Sequence, residues 1–324
     1  MPGRDRLARE LGINPKTVEA ALNLLEAEGL LVAGGAGRRR GIVLPETGLT
    51  PARLRVAILH FSTDAGVTYN DRLRRILADS GHEASFVRLP FALGDLLPGR
   101  LERTTQDNPA DAWVLASVSR EVLQWFAMRP EPVFALFGNM AGLPIAGAAP
   151  NHVPALLAAM RRLISIGHRR IVLLVRENQR TRPLGKFCTA FHTELEANAI
   201  ATGPYNFPDW KDTPAGLRRC LDSLFGVSPP TALIIDEPFL FAAVQQHLAR
   251  RGLLAPEHVS LVCIDNDPSF SWLHPSIAHL AWNPDQVLSK VGSWAEKLAR
   301  GENHRRQYFP KAKFVEGGTI GPAP

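Results

Sequence analysis

Cysteine is scarce in this 324-residue chain: Cys188, Cys220 and Cys263 stand far apart, and none has C-x-x-C spacing. That excludes a disulfide-stapled scaffold and a thiolate zinc site, and it points to reduced thiols in a cytoplasmic protein. Long apolar runs are missing too. No stretch approaches the ~20 residues that cross a bilayer, and no charged-then-apolar leader opens the sequence, so neither a membrane partner nor export is expected. G-x-S-x-G, H-E-x-x-H, the P-loop and a strand-borne G-x-G-x-x-G are all absent, which argues against an enzyme. The Gly34–Gly37 run lacks the following helix that a phosphate cradle uses. Asp265 and Asp267 are neighbouring strand-end acids without a third metal ligand. No enzyme activity, cofactor or metal is therefore expected.

What is present is an ordinary globular composition, 45% hydrophobic and 21% charged, in a chain long enough for two or three domains with large cores. The net charge of +6 is unevenly spread. Residues 1–55 hold nine Lys/Arg against six Asp/Glu, and the other 269 hold 28 against 25. Basic density thus lies at the amino end, where contacts to nucleic-acid phosphates would require it.

The segment Arg4–Val43 has the pattern of a helix-turn-helix with a wing. Leu7, Ala8 and Leu11 share one helical face, and Gly12 closes it. Asn14 is placed to cap a second helix with Pro15 at its first position. Val18, Ala21, Leu22 and Leu25 then recur at helical spacing, and Gly29 stops the run. A short strand, a glycine-rich tip with Arg38, Arg39 and Arg40, and a return strand follow. This order suits a helix in the major groove with a basic hairpin on the phosphates. The competing reading is a small helical cap with a solvated charge run.

These residues resemble the GntR family of bacterial transcription factors: Pro2, Leu7-Ala8, Thr17-Val18, Ala21-Leu22, Leu25, Gly29-Leu30 and the wing around Gly37 match its pattern. The resemblance implies a DNA-binding domain over residues 1–44, contacting DNA through Arg4, Arg6, Asn14, Lys16, Thr17, Arg38, Arg39 and Arg40. The family has a further helix before its Leu-Pro start, so the expected domain lacks its first helix. Arginines common in the family fall here on Asp5, Pro15 and Glu19.

Residues 45–53 are turn-rich and polar, as a linker is. Beyond them short apolar strands alternate with amphipathic helices, from Arg55–Phe61 through Asp285–Arg300. That alternation predicts an α/β fold of parallel, doubly wound sheets. About 270 residues exceed one comfortable core, so two such subdomains are expected, with a ligand cleft at the carboxyl ends of their strands.

Four ordered stretches resemble LacI-type regulators: Leu163–Ile171, Pro230–Glu237, Pro256–Asn266, and His274–Ile277 followed by Gly292 and Ala295. The resemblance implies a periplasmic-binding-protein-like effector-binding and dimerisation domain over residues 54–324. It places Arg182, Asp236, Asp265 and Trp282 at an effector site, with His60, Phe61 and Ser62 at the end of the first strand. Departures are Gly138-Asn139 for a common Asp, Asp236-Glu237 for an Asn-Asp pair, and Gly317 for a late Arg. The implied protein is a ligand-responsive repressor, a homodimer on an inverted-repeat double-stranded operator, with a sugar or similar polar effector. A sensor of the same fold that no longer binds DNA, and a solute-binding protein or enzyme, remain as alternatives. Within Leu163–Ile171, Gly167 is expected to end a helix, with His168 and Arg169 on its C-terminal dipole.

Overall fold

The structure, a computed structural model, describes residues 4–27, 31–32, 41–42, 52–61, 69–89, 98–180 and 184–324. The chain divides into two compact units, Met1–Ala52 and Arg53–Pro324.

In the first unit α1 (Arg4–Leu11) and α2 (Pro15–Ala27) are joined by a turn at Gly12, whose φ of 66° suits glycine. Asn14 Oδ1 accepts from the Lys16 amide at 2.9 Å, so it satisfies one open donor at the start of α2. Ala8, Val18, Leu22 and Leu31 form the buried core, with Leu7 and Leu25 packed against it. Leu11 is 63% exposed, so the expected apolar face of α1 is only partly covered. β1 (Leu31–Val32) pairs antiparallel with β2 (Gly41–Ile42).

The second unit opens with β3 (Arg55–Phe61), α3 (Asn70–Asp79), β4 (Glu83–Leu89), α4 (Pro98–Asp107), β5 (Ala112–Ala116), α5 (Arg120–Ala127), β6 (Val133–Leu136) and β7 (Ala146–Ala148). Next come α6 (Val153–Ser165), β8 (Ile171–Leu174), α7 (Glu177–Arg180), α8 (Lys186–Ala197), α9 (Pro214–Val227), β9 (Ala232–Ile235), α10 (Pro238–Ala249), β10 (Ser260–Cys263) and β11 (Ala278–Ala281). It ends with α11 (Pro284–Ala299), β12 (Gln307–Tyr308) and β13 (Lys313–Val315).

Two sheets result, in the orders β12-β7-β6-β5-β3-β4 and β13-β11-β10-β9-β8. Every pairing is parallel except β13 on β11. The central strands are apolar throughout, because helices cover both faces of a parallel sheet. Ala-Trp-Val-Leu of β5 and Ala-Leu-Ile-Ile of β9 are fully buried, whereas the edge strand β4 alternates towards solvent.

The chain crosses between the sheets three times, at Ala149–His152, Trp282–Asn283 and Phe309–Ala312. Two of these segments run side by side: the Asn151 amide donates to the Pro310 carbonyl at 2.8 Å, and Ala312 donates back to Asn151 at 3.0 Å. α11 returns to the first sheet and lies on α3. The G-x-x-A motif has its physical reason there, since a Cβ on Gly292 would come 2.8 Å from Ile76 Cγ2.

His168 is not on the helix dipole. It is fully buried, and its Nε2 lies 2.9 Å from the Gly321 carbonyl and 3.1 Å from Ser260 Oγ, tying the carboxyl tail to β10. Arg169 does take the expected place, donating to the Ile164 carbonyl at 3.1 Å. Gly317, the departure from a late Arg, stands where no side chain fits. A Cβ would meet the Ala278 amide and the Ile277 carbonyl carbon, each at 2.4 Å. Because those neighbours are backbone, Gly317→Ala should destabilise the protein by about 1–3 kcal/mol, read as a fall in melting midpoint of several degrees.

Candidate functional site

The carboxyl ends of the inner strands deliver a compact polar and aromatic group. At the end of β6 the chain turns sharply: Phe137 and Gly138 both adopt left-handed conformations, with φ of 67° and 78°. A bulky residue rarely takes that conformation unless its surroundings enforce it. The turn brings the Phe137 ring against Tyr69, the residue before α3, at 5.8 Å, and against Trp282 at 5.6 Å. Tyr69 and Trp282 are 5.9 Å apart, so three rings from two sheets meet beside a crossing segment.

Trp282 is 8% exposed, and its indole N–H donates to Asp265 Oδ1. The same oxygen accepts from the Asn266 amide at 2.8 Å, while Asn266 Oδ1 accepts from the Trp282 amide at 3.2 Å. The ends of β10 and β11 are thus locked to each other. One strand over, Asp236 is buried and accepts from the Gln179 amide group at 2.7 Å and the Arg176 backbone at 3.4 Å. It does not cap α10, whose N-cap is Glu237. Arg176 Nε donates to Asp212 Oδ2 at 2.8 Å, its Nη1 lies 3.5 Å from Glu237 Oε2, and its guanidinium lies 5.5 Å from the Phe239 ring centre.

Burial dominates the electrostatics. It pushes the Asp236 carboxyl up to about 7, with the Glu237 charge adding to the effect. Glu237 and Asp265 are raised by burial as well, although Arg176 and the Trp282 indole respectively pull them back. Tyr69 is held far above the usual phenol range by burial and by the charges of Asp265 and Asp267. Several acceptors, an amide donor and a set of ring faces suit a small polar molecule with an apolar face. Among the described residues no group of three or more His, Cys, Asp or Glu is placed to hold a metal ion.

Of the residues expected from sequence, Asp236, Asp265 and Trp282 come together. His60 lies at the end of β3, buried with its ring edge-on to Phe86 at 6.4 Å, and Phe61 ends that strand. Ser62, Arg182 and the wing residues Arg38, Arg39 and Arg40 lie outside the described residues. In the first unit Lys16 and Thr17 are exposed, Arg4 pairs with Glu19 and Asp5, and Arg6 pairs with Glu10. Tyr69, Phe137, Arg176, Gln179 and Asp212 were not foreseen. Arg176 had a signal: it is a charge directly after the apolar run of β8. Two shallow cavities, of about 610 and 350 Å³, lie elsewhere, by Arg169, Arg170 and Tyr205 and between α6 and α8. We place the site at the strand ends because buried polar groups converge there and not in those grooves.

Two parallel α/β sheets joined by three crossing segments are also found in solved proteins. Residues 160–320 match the periplasmic binding protein-like domain. Solved structures with the same fold include the lac repressor dimer bound to operator and the anti-inducer ONPF, at 12% identity and a TM-score of 0.68, over 85% of this chain and 96% of that one. A LacI family transcriptional regulator from Bifidobacterium animalis subsp. lactis matches at 19% identity and 0.66, over 83% and 98%. The LacI family regulator CCPA from Weissella paramesenteroides, with bound glucose, matches at 15% and 0.64, over 83% and 98%. No curated protein matches the chain by sequence. At these identities the likeness is one of fold, and it extends the periplasmic-binding-protein-like architecture to both sheets. No described helix is long and apolar enough to cross a membrane.

Proposed function

We propose that the chain is a ligand-responsive transcriptional regulator, most simply a repressor. Its first unit reads double-stranded DNA as a winged helix-turn-helix, and Arg53–Pro324 holds a sugar or similar polyol between its two sheets. The observation that carries this reading is the convergence of Asp236 and Asp265 with Tyr69, Phe137 and Trp282 at the carboxyl ends of strands from both sheets. The carboxylates take hydroxyl hydrogen bonds, and a ring face covers the apolar side of a pyranose. Three short crossing segments allow one sheet to rotate on the other when the cleft closes, which is how such domains couple a ligand to a distant site. The protein acts as a homodimer on an inverted repeat, since two-fold symmetry in the protein is mirrored in its site.

The test is a panel of mono- and disaccharides, read by thermal shift and by mobility shift on the operator. At least one sugar should raise the melting midpoint and change operator affinity. A buried charged hydrogen bond contributes about 1.5–3 kcal/mol, so Asp265→Ala should weaken that sugar roughly ten- to a hundredfold. Asp265→Asn, which keeps an acceptor for the Trp282 indole, separates loss of charge from loss of the lock. A panel without effect on either readout would refute the sugar reading.

A further inference from the structure

We propose that Glu19 reads a cytosine in the major groove, held in position by Arg4, so that each half-site carries a C·G pair at a fixed place. The proposal rests on reading the first unit as DNA-binding. α2 buries Val18 and Leu22; among its exposed residues, flanked by Thr17, Ala21 and Leu24, the four residues Lys16, Glu19, Ala20 and Asn23 share one face. Their i, i+3, i+4, i+7 spacing makes one continuous helix face, the face that a helix laid in the groove turns to the base edges. Within it Lys16 is a donor, Ala20 carries no polar group and Asn23 is both donor and acceptor. Glu19 alone is acceptor-only.

The cytosine N4 amino group is the base-edge donor that a carboxylate recognises, whereas glutamine pairs with N6 and N7 of adenine. A bare carboxylate between two phosphate strands would be repelled. Arg4 answers that problem from the neighbouring helix: its Nη1 lies 3.0 Å from Glu19 Oε2, while its Nε holds Asp5 at 2.9 Å. The Arg4 and Glu19 side chains are 43% and 48% exposed. An ion pair so open to water adds little to folding stability, so variants at either residue should keep the unit folded. On DNA the guanidinium stays beside Glu19 and faces the phosphates, and the carboxylate is left to accept from the base.

Selection of the full chain from a randomised duplex library tests the assignment, followed by mobility-shift titration of the enriched sequences with single-base changes. The wild type should enrich a two-fold site with a cytosine at one position of each half, preferred roughly tenfold over other bases. Glu19→Gln should move that position to adenine and leave the others unchanged. Arg4→Ala should weaken all sequences alike and flatten the salt dependence without changing the preferred base. If Glu19→Gln enriches the same site as the wild type, Glu19 does not read a base, although the unit still binds DNA. If the wild type enriches no sequence at all, the DNA-reading role itself fails, and the proposal with it.

Discussion

Arg176→Ala is expected to lower folding stability by about 3–5 kcal/mol at pH 8, the usual cost of leaving buried charges without their partner. The side chains of Arg176 and Asp212 are only 11% and 10% exposed, and Glu237 shares the same guanidinium. Removing it leaves Asp212, Glu237 and Asp236 facing one another with one fewer cation. The Asp236 and Glu237 carboxyls, already raised by burial, are then pushed further above their unfolded values. Stability carried by such raised carboxyls is present at low pH and lost as pH rises through their folded pKa. The deficit should accordingly be smaller at pH 5 than at pH 8. Urea titrations of variant and wild type at both values measure it. Arg176→Lys should recover part of the loss, because it keeps the charge but not the planar fork that reaches two carboxylates at once. A deficit below about 1 kcal/mol at pH 8, the range of exposed pairs, would show that water solvates these carboxylates.

The sequence made much of the scaffold legible for a simple reason: α6, β4 and β5 announce themselves by their own side-chain periodicity or apolar continuity, and their bounds agree with the residues. What escaped was set by partners far away in the chain. α4 buries only Leu101 and Thr105 of its ten residues, so it has almost no apolar stripe. β7 is Ala-Gly-Ala, and β12 is two residues long. Each is a strand because a backbone elsewhere accepts or donates its hydrogen bonds, and no local pattern encodes that.

The site divides along the same line. Asp236 and Asp265 sit just past apolar runs, where a polar residue at a strand end is conspicuous. Phe137 continues the apolar run of β6, yet the strand stops at Leu136, and the left-handed turn brings the ring against Tyr69 and Trp282. Tyr69 reaches Trp282 only because the two sheets are brought together, and Asp212 reaches Arg176 only through the fold of the segment before α9. His168 shows the reverse error. A local account in terms of helix ends was available, and a tail contact 153 residues away, at Gly321, took the side chain instead.

Asp236→Asn should do the opposite of Arg176→Ala and raise stability at neutral pH. Burial first, and the Glu237 charge second, hold the Asp236 carboxyl at about 7, whereas an unfolded Asp titrates near ~3.9. Between those values the folded protein keeps a proton that the unfolded chain has released. Its stability therefore falls as pH rises from about 4 to about 7 and then levels off. Glu237 and Asp265 are displaced in the same direction and steepen the fall. Asparagine removes the share of Asp236 while keeping an oxygen to accept from Gln179 and from the Arg176 amide. Wild type and variant should thus melt together near pH 4 and separate steadily above it. By pH 8 the variant should lead by on the order of a few kcal/mol, or several degrees in midpoint. On the function proposed above, an ionisable acceptor in the cleft would grip a ligand hydroxyl more strongly than an amide does. If that proposal holds, the same substitution should weaken binding of the effector sugar even as it stabilises the empty protein. Melting profiles that run parallel from pH 4 to pH 8 would mean that Asp236 is ionised throughout, and that its burial is solvated by water entering the cleft.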